Sequence, residues 1–200
     1  VMAGPPVDTT CHPSHKIEIS DLTTPSRDPS APQYRVAELH PKQTYYVDRS
    51  YVLTSVPSFF VGLQSIMTAN DDKHSQQAVS INAAGGFEDG FICFTVKEDA
   101  RVYILYDTRA TARPAWLSTY FTDKHEESGV NHTDTNMANG FEVYSGFFPL
   151  DGASEKRICL GGNDPVEGPG GAGSMYLVFV GPEEERCDGV AAVPAPTKPT

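Results

Sequence analysis

Apolar residues in this chain fall in short runs. YRVAEL, YYVDRSYVLT, SIMT, AVSIN, GFICFTV, RVYILYD, GFEVYSGFF, KRICLGG and SMYLVFV each span a few residues, favour Val, Ile, Tyr and Phe, and mostly alternate apolar with polar positions. A two-residue period places alternate side chains on opposite faces of a strand. NDD, AAGGFEDG, KED and GGNDPVEGPGGAG separate the runs, and Gly, Asn, Asp and Pro are the residues that turn a chain. No segment carries an apolar stripe at i, i+3, i+4 long enough for a helix, and no internal repeat is present. The pattern predicts an all-β fold, an antiparallel β-sandwich or jelly roll, over residues 34–181.

The flanks read differently. Residues 1–33 are rich in Pro, Ser, Thr and Asp and form an extended N-terminal arm. Within it KIEIS, residues 16–20, alternates Ile17 and Ile19 with polar neighbours, which is a strand signal. A lone strand has nothing of its own to pair with, so it must add to a sheet in its own domain or in a neighbouring copy. Residues 182–200 join the acidic run Glu183-Glu184-Glu185 to VAAVPAPTKPT, a composition that favours an extended polyproline tail. Thr197 and Thr200, beside prolines, are O-glycosylation candidates, the other reading being a plain linker.

Composition narrows the possible partners. The chain is 39% hydrophobic, enough for one sizeable core. Its formal net charge is -11, and no basic stripe exists to neutralise phosphates, so no nucleic-acid partner is expected. No apolar run approaches the ~20 residues of a membrane helix, so no membrane insertion is expected. No basic start followed by an apolar run marks a signal peptide; a secreted protein would already be in its mature form.

The four cysteines, Cys11, Cys93, Cys159 and Cys187, form no CxxC pair, which argues against a zinc ribbon. Two disulfides in an oxidising compartment are expected, hence an extracellular or cell-surface location. Strand phase puts Ile92, Phe94 and Val96 on one face and Cys93 on the other; Ile158 and Leu160 likewise oppose Cys159. Both strand cysteines therefore belong to the outer face. They bond each other if their strands are neighbours, or each pins a tail through Cys11 or Cys187. Pinning is the favoured expectation, because a tail without a core gains most from a covalent anchor. The sequon Asn131-His132-Thr133 marks Asn131 for N-glycosylation.

Catalytic signatures are missing. There is no GxSxG elbow, HExxH, phosphate loop or dinucleotide fingerprint, so neither an enzyme nor a cofactor is expected. Asn70, Asp71 and Asp72 offer oxygen ligands for calcium, or cap backbone amides in a turn, which is favoured over a metal site. YDTRATARPAWL, from Tyr106 to Leu117, has two readings. In one, favoured here, Trp116 covers an end of the core and Arg109 pairs with Asp107 or a carbonyl. In the other, Trp116 and Tyr120 form a sugar-stacking platform while Arg109 and Asp107 bind hydroxyls.

Several blocks in order, YYVDRSYVLTSVPSFFVGLQSIMTANDDK, VYILYDTRATARPAWLS, and LGGN before SMYLVFV, resemble an accessory domain of large secreted bacterial proteins, where it accompanies polysaccharide-degrading and adhesive modules. The resemblance covers about residues 34–180. It implies a jelly-roll sandwich similar to carbohydrate-binding modules, without catalytic activity of its own. Two functional expectations result. The first is a non-enzymatic extracellular structural protein whose copies self-assemble, into a filament, through the N-terminal arm, with disulfides and glycans stabilising the product. The alternative is a carbohydrate-binding accessory module of a secreted enzyme or adhesin, with glycans as partners.

Overall fold

The computed structural model describes residues 15–127, 129–134 and 140–183, the side chains of 123–127 excepted. In chain order the strands are β1 (Ser20–Thr23), β2 (Arg35–Glu38), β3 (Leu53–Ser55), β4 (Gln64–Met67), β5 (Ser80–Ile81), β6 (Phe87–Asp89), β7 (Ile92–Val96), β8 (Ala100–Asp107), β9 (Thr122–Glu127), β10 (Asn131–His132), β11 (Phe141–Phe148), β12 (Lys156–Leu160) and β13 (Leu177–Gly181). A single α-helix among the described residues, α1 (Ala115–Tyr120), lies between β8 and β9.

The fold is an all-β antiparallel sandwich. A six-stranded sheet has the order β2-β4-β13-β8-β11-β9, and a three-stranded sheet the order β1-β7-β12. Register puts Tyr103, Leu105, Val143, Leu177 and Phe179 on one face of the large sheet, and Ile66, Val102, Ile104, Val178 and Val180 on the other. Phe60, from a 3-10 turn at Ser58–Phe60, packs on Tyr103 and Phe179 with ring centroids 5.2 Å away. The opposite face meets the small sheet, whose Ile92, Phe94, Val96, Ile158 and Leu160 are all 0% exposed. The central strands are therefore covered on both sides. This is why β13 is buried end to end instead of alternating with solvent.

Three expectations change. YYVDRSYVLT does not run as one strand: only Leu53–Ser55 does, while Tyr45 and Tyr46 turn into the core and Tyr46 Oη donates to the Met175 carbonyl at 2.5 Å. The arm strand forms at Ser20–Thr23, not at 16–20, and pairs with β7 of its own chain (Ser20 opposite Thr95, Thr23 opposite Cys93). Ile17 is 1% exposed in that same core and Ile19 packs against it, so both serve the chain's own sandwich. Thirdly, Cys93 and Cys159 bond each other, in place of the expected anchors to the tails. Strand β7 neighbours β12, and their register sets Cys159 directly opposite Cys93 with Cα atoms 4.1 Å apart. Both are fully buried, so the outer face they occupy is itself covered. Cys11, Cys187, Thr197 and Thr200 lie outside the described residues.

The connection after β1 is pinned. Arg27 lies over the Tyr34 ring, 4.3 Å from its centroid, and its Nε donates to Asp72 Oδ2 at 2.6 Å. Tyr34 Oη donates to the same carboxylate oxygen at 2.6 Å.

Candidate functional site

Pro114 sets the start of α1. Its ring fixes φ near -66°, it lacks the N–H that a first turn leaves unpaired, and Leu117 N–H donates back to its carbonyl. Trp116 and Tyr120, four residues apart, then share one helix face. Trp116 is 5% exposed: its Nε1 donates to the Gly162 carbonyl at 2.9 Å, and its ring meets Phe121 and Tyr176 edge-on. Gly161 makes room for the indole, because a Cβ there would overlap Trp116 Cδ1. Tyr120 is half-buried, and its ring is backed edge-on by Phe87 at 5.1 Å.

The α1 face forms one wall of a cleft of about 170 Å³, with Pro114, Trp116, Thr119 and Tyr120 contributing. Val79, leading into β5, and Val166 with Glu167, from the loop between β12 and β13, complete it. That loop is held from beneath. Asp164 accepts Gly170 N–H at 2.9 Å and donates its own N–H to the Ser75 carbonyl. Asn163 is fully buried: Nδ2 donates to the Lys73 carbonyl at 2.8 Å and the Ser174 carbonyl at 3.4 Å, while Oδ1 accepts Tyr176 N–H at 3.1 Å. Its backbone carbonyl accepts Tyr106 Oη–H. Glu167 is the lone charged side chain in the lining.

Of the four residues expected to contact a glycan, the cleft brings together Trp116 and Tyr120. Arg109 and Asp107 do not line it. Asp107, 0% exposed, accepts Arg109 Nε at 2.9 Å and Nη2 at 2.7 Å, and also the backbone N–H of Arg109 and Gly173. Arg109 Nη2 donates further to Ser174 Oγ at 2.9 Å. The pair ties the end of β8 to the approach of β13, and a Cβ on Gly173 would strike the guanidinium. The sequence offered no warning of Val79, Thr119 or Glu167. Val166, an apolar residue amid Gly and Pro, is the one signal that the sequence carries.

The turn residues Asn70, Asp71 and Asp72 diverge instead of converging on an ion. Asn70 Oδ1 accepts Met175 N–H, Asp71 binds Arg49, and Asp72 binds Arg27 and Tyr34. The turn is capped from outside by Asp48, whose carboxylate accepts the N–H groups of Asn70 and Asp71. Among the described residues no cluster of three His, Cys, Asp or Glu is placed to hold a metal. Asn131 sits exposed on β10 opposite Ser55, and Thr133 is fixed to Val52 through both its N–H and its hydroxyl. No helix among the described residues is long and apolar enough to cross a membrane.

No family model and no curated protein matches the chain. Among solved structures it is similar to a beta-glucuronidase from glycoside hydrolase family 2, with 17% identity and a TM-score of 0.60. The likeness covers 82% of this chain and 15% of that one. A GH138 enzyme targeting pectin rhamnogalacturonan II aligns with 9% identity and a TM-score of 0.49, over 84% of this chain and 17% of that one. The first likeness is one of fold; this chain corresponds to a small fraction of the enzyme's length.

Proposed function

We propose that the protein is a non-catalytic, glycan-binding β-sandwich of the accessory type, working in an oxidising, extracellular setting. The observation that carries this reading is the cleft between α1 and the β12–β13 loop. An aromatic ring held by Phe87 stands beside apolar Val79 and Val166, with a hydroxyl and a carboxylate at hand. A sugar presents a C–H face to an aromatic ring and hydroxyls to polar neighbours. A fold shared with 15% of a glycosidase chain supports an accessory role. Glycoside hydrolysis generally needs two carboxylates across the scissile bond, and this cleft offers Glu167 alone. The Cys93–Cys159 bond fits an oxidising compartment.

Affinity electrophoresis against a panel of soluble polysaccharides tests the reading. The protein is expected to be retarded by at least one, Tyr120→Ala to migrate freely, and Tyr120→Phe to be retarded again. Free migration of the wild type in every gel would overturn it. Assembly by donation of the KIEIS strand, the other use that the sequence suggests, requires Ile17 and β1 to leave their seat for the equivalent seat in a second copy. Glycan binding needs only a monomer, and size-exclusion chromatography at rising concentration separates the two.

A further inference from the structure

One solved structure of similar fold is by name a beta-glucuronidase, which suggests an anionic sugar as ligand. The chemistry of this cleft points elsewhere. Resting on the glycan-binding reading above, we infer that the cleft takes a single uncharged sugar residue and discriminates against uronic acids.

Carboxylate sugars are recognised by cations, most effectively by a guanidinium fork. No Lys, Arg or His lines the cleft. The nearby arginines are committed elsewhere. Arg113, next to Pro114, gives Nε to Glu142 and Tyr144 Oη, Nη2 to Glu142, and Nη1 to the Ala110 carbonyl. Arg109 is spent on Asp107 and Ser174. His74 faces Asp164 Oδ2 at 3.3 Å. Against these, Glu167 sets a negative charge in the lining itself, on a chain whose formal net charge is -11. A uronate would meet repulsion with no fork to offset it. A neutral pyranose donates hydroxyls to Glu167, and such charge-assisted bonds are the strong kind. At about 170 Å³ the cleft falls below the ~300–1,000 Å³ of pockets that enclose drug-sized ligands, so it fits one ring with the remaining chain in solvent.

The test titrates the full chain with methyl glycosides of glucose, galactose and xylose, and with methyl glucuronide and methyl galacturonide, by saturation-transfer NMR. Two unit charges about 6 Å apart in water repel by an amount worth about threefold in affinity. The neutral member of the glucose and galactose pairs is therefore expected to bind at least about threefold more tightly at low salt. Added salt should narrow the gap. Glu167→Gln, at an exposed position, should shrink it, and Glu167→Lys should reverse it. Equal or tighter uronate binding, or a preference unmoved by Glu167→Gln, overturns the inference while leaving glycan binding intact. Failure of every glycoside to bind overturns the inference; only when joined by free migration in every polysaccharide gel does it overturn the glycan-binding reading as well.

Discussion

Asn163→Ala is the most informative single change, because the side chain ties three segments together from a fully buried position. It donates to the carbonyls of Lys73 and Ser174 and accepts from Tyr176 N–H. Alanine removes all three bonds and leaves two carbonyls and one N–H without them. Two of the bonds are 2.8 and 3.1 Å long, while the third, at 3.4 Å, counts for less. At about 1 kcal/mol net for each good bond, plus the penalty for stranding buried polar groups, the loss is about 3 kcal/mol. For a chain of this size that lowers Tm by roughly 6–12 °C. The assay is equilibrium urea unfolding followed by fluorescence of Trp116, the one tryptophan of the chain. Its indole donates to Gly162, the residue before Asn163, so it reports on the hub as well as on global unfolding. Asn163→Asp should also destabilise, since it keeps an acceptor for Tyr176 N–H but sets an oxygen against the Lys73 and Ser174 carbonyls. A loss below about 1 kcal/mol for Asn163→Ala, with unchanged dependence on urea, would refute the view that this side chain organises the loop.

Further outcomes follow from other parts of the fold. Replacing Cys93 and Cys159 together by Ser opens a loop of sequence separation 66, worth about 4 kcal/mol of closure entropy, and non-reduced against reduced thermal melts of the wild type should show the same direction. Arg109→Met leaves the Asp107 carboxylate buried with backbone N–H partners and loses the guanidinium; denaturant melts should show a loss of about 3–5 kcal/mol. His132 packs between Tyr45 and Phe141, and burial holds its imidazole below the ordinary value of 6.5. The unfolded chain takes up that proton near 6.5 and the folded chain only at lower pH. Stability should therefore fall as pH drops through 6.5, by at most about 1.4 kcal/mol per unit, and the slope should flatten in His132→Gln.

Strands were legible where apolar and β-branched residues recur at short range, as in RVYILYD and SMYLVFV. What escaped the sequence lies in partners far along the chain. SDLT has little strand character of its own; β1 forms there because Ile17 seats in the core just before it and β7 offers a free edge. The facing of Cys93 and Cys159 was readable from strand phase, but their pairing depends on β12 lying beside β7, which is a property of the sheet order. α1 is too short for a periodic stripe, so the shared face of Trp116 and Tyr120 was its sole trace. Asn163 reads as one more turn residue of GGNDPVEGPGGAG, because its partners stand 90, 11 and 13 residues away.

The cleft has the same origin. Its walls come from residues 78–79, 114–120 and 166–167, and no one stretch announces them. The hub formed by Asn163, Gly162 and Trp116 ties the α1 wall to the start of the β12–β13 loop, so the cleft and the stability of the fold share these bonds. Changes in the hub should therefore damage binding and folding together, and loss of binding there would say little about recognition. Tyr120 and Glu167 face the cleft from positions with more solvent and fewer partners. Substitutions at those two positions can change recognition while the unfolding curve stays in place, which makes them the proper witnesses for what the cleft binds.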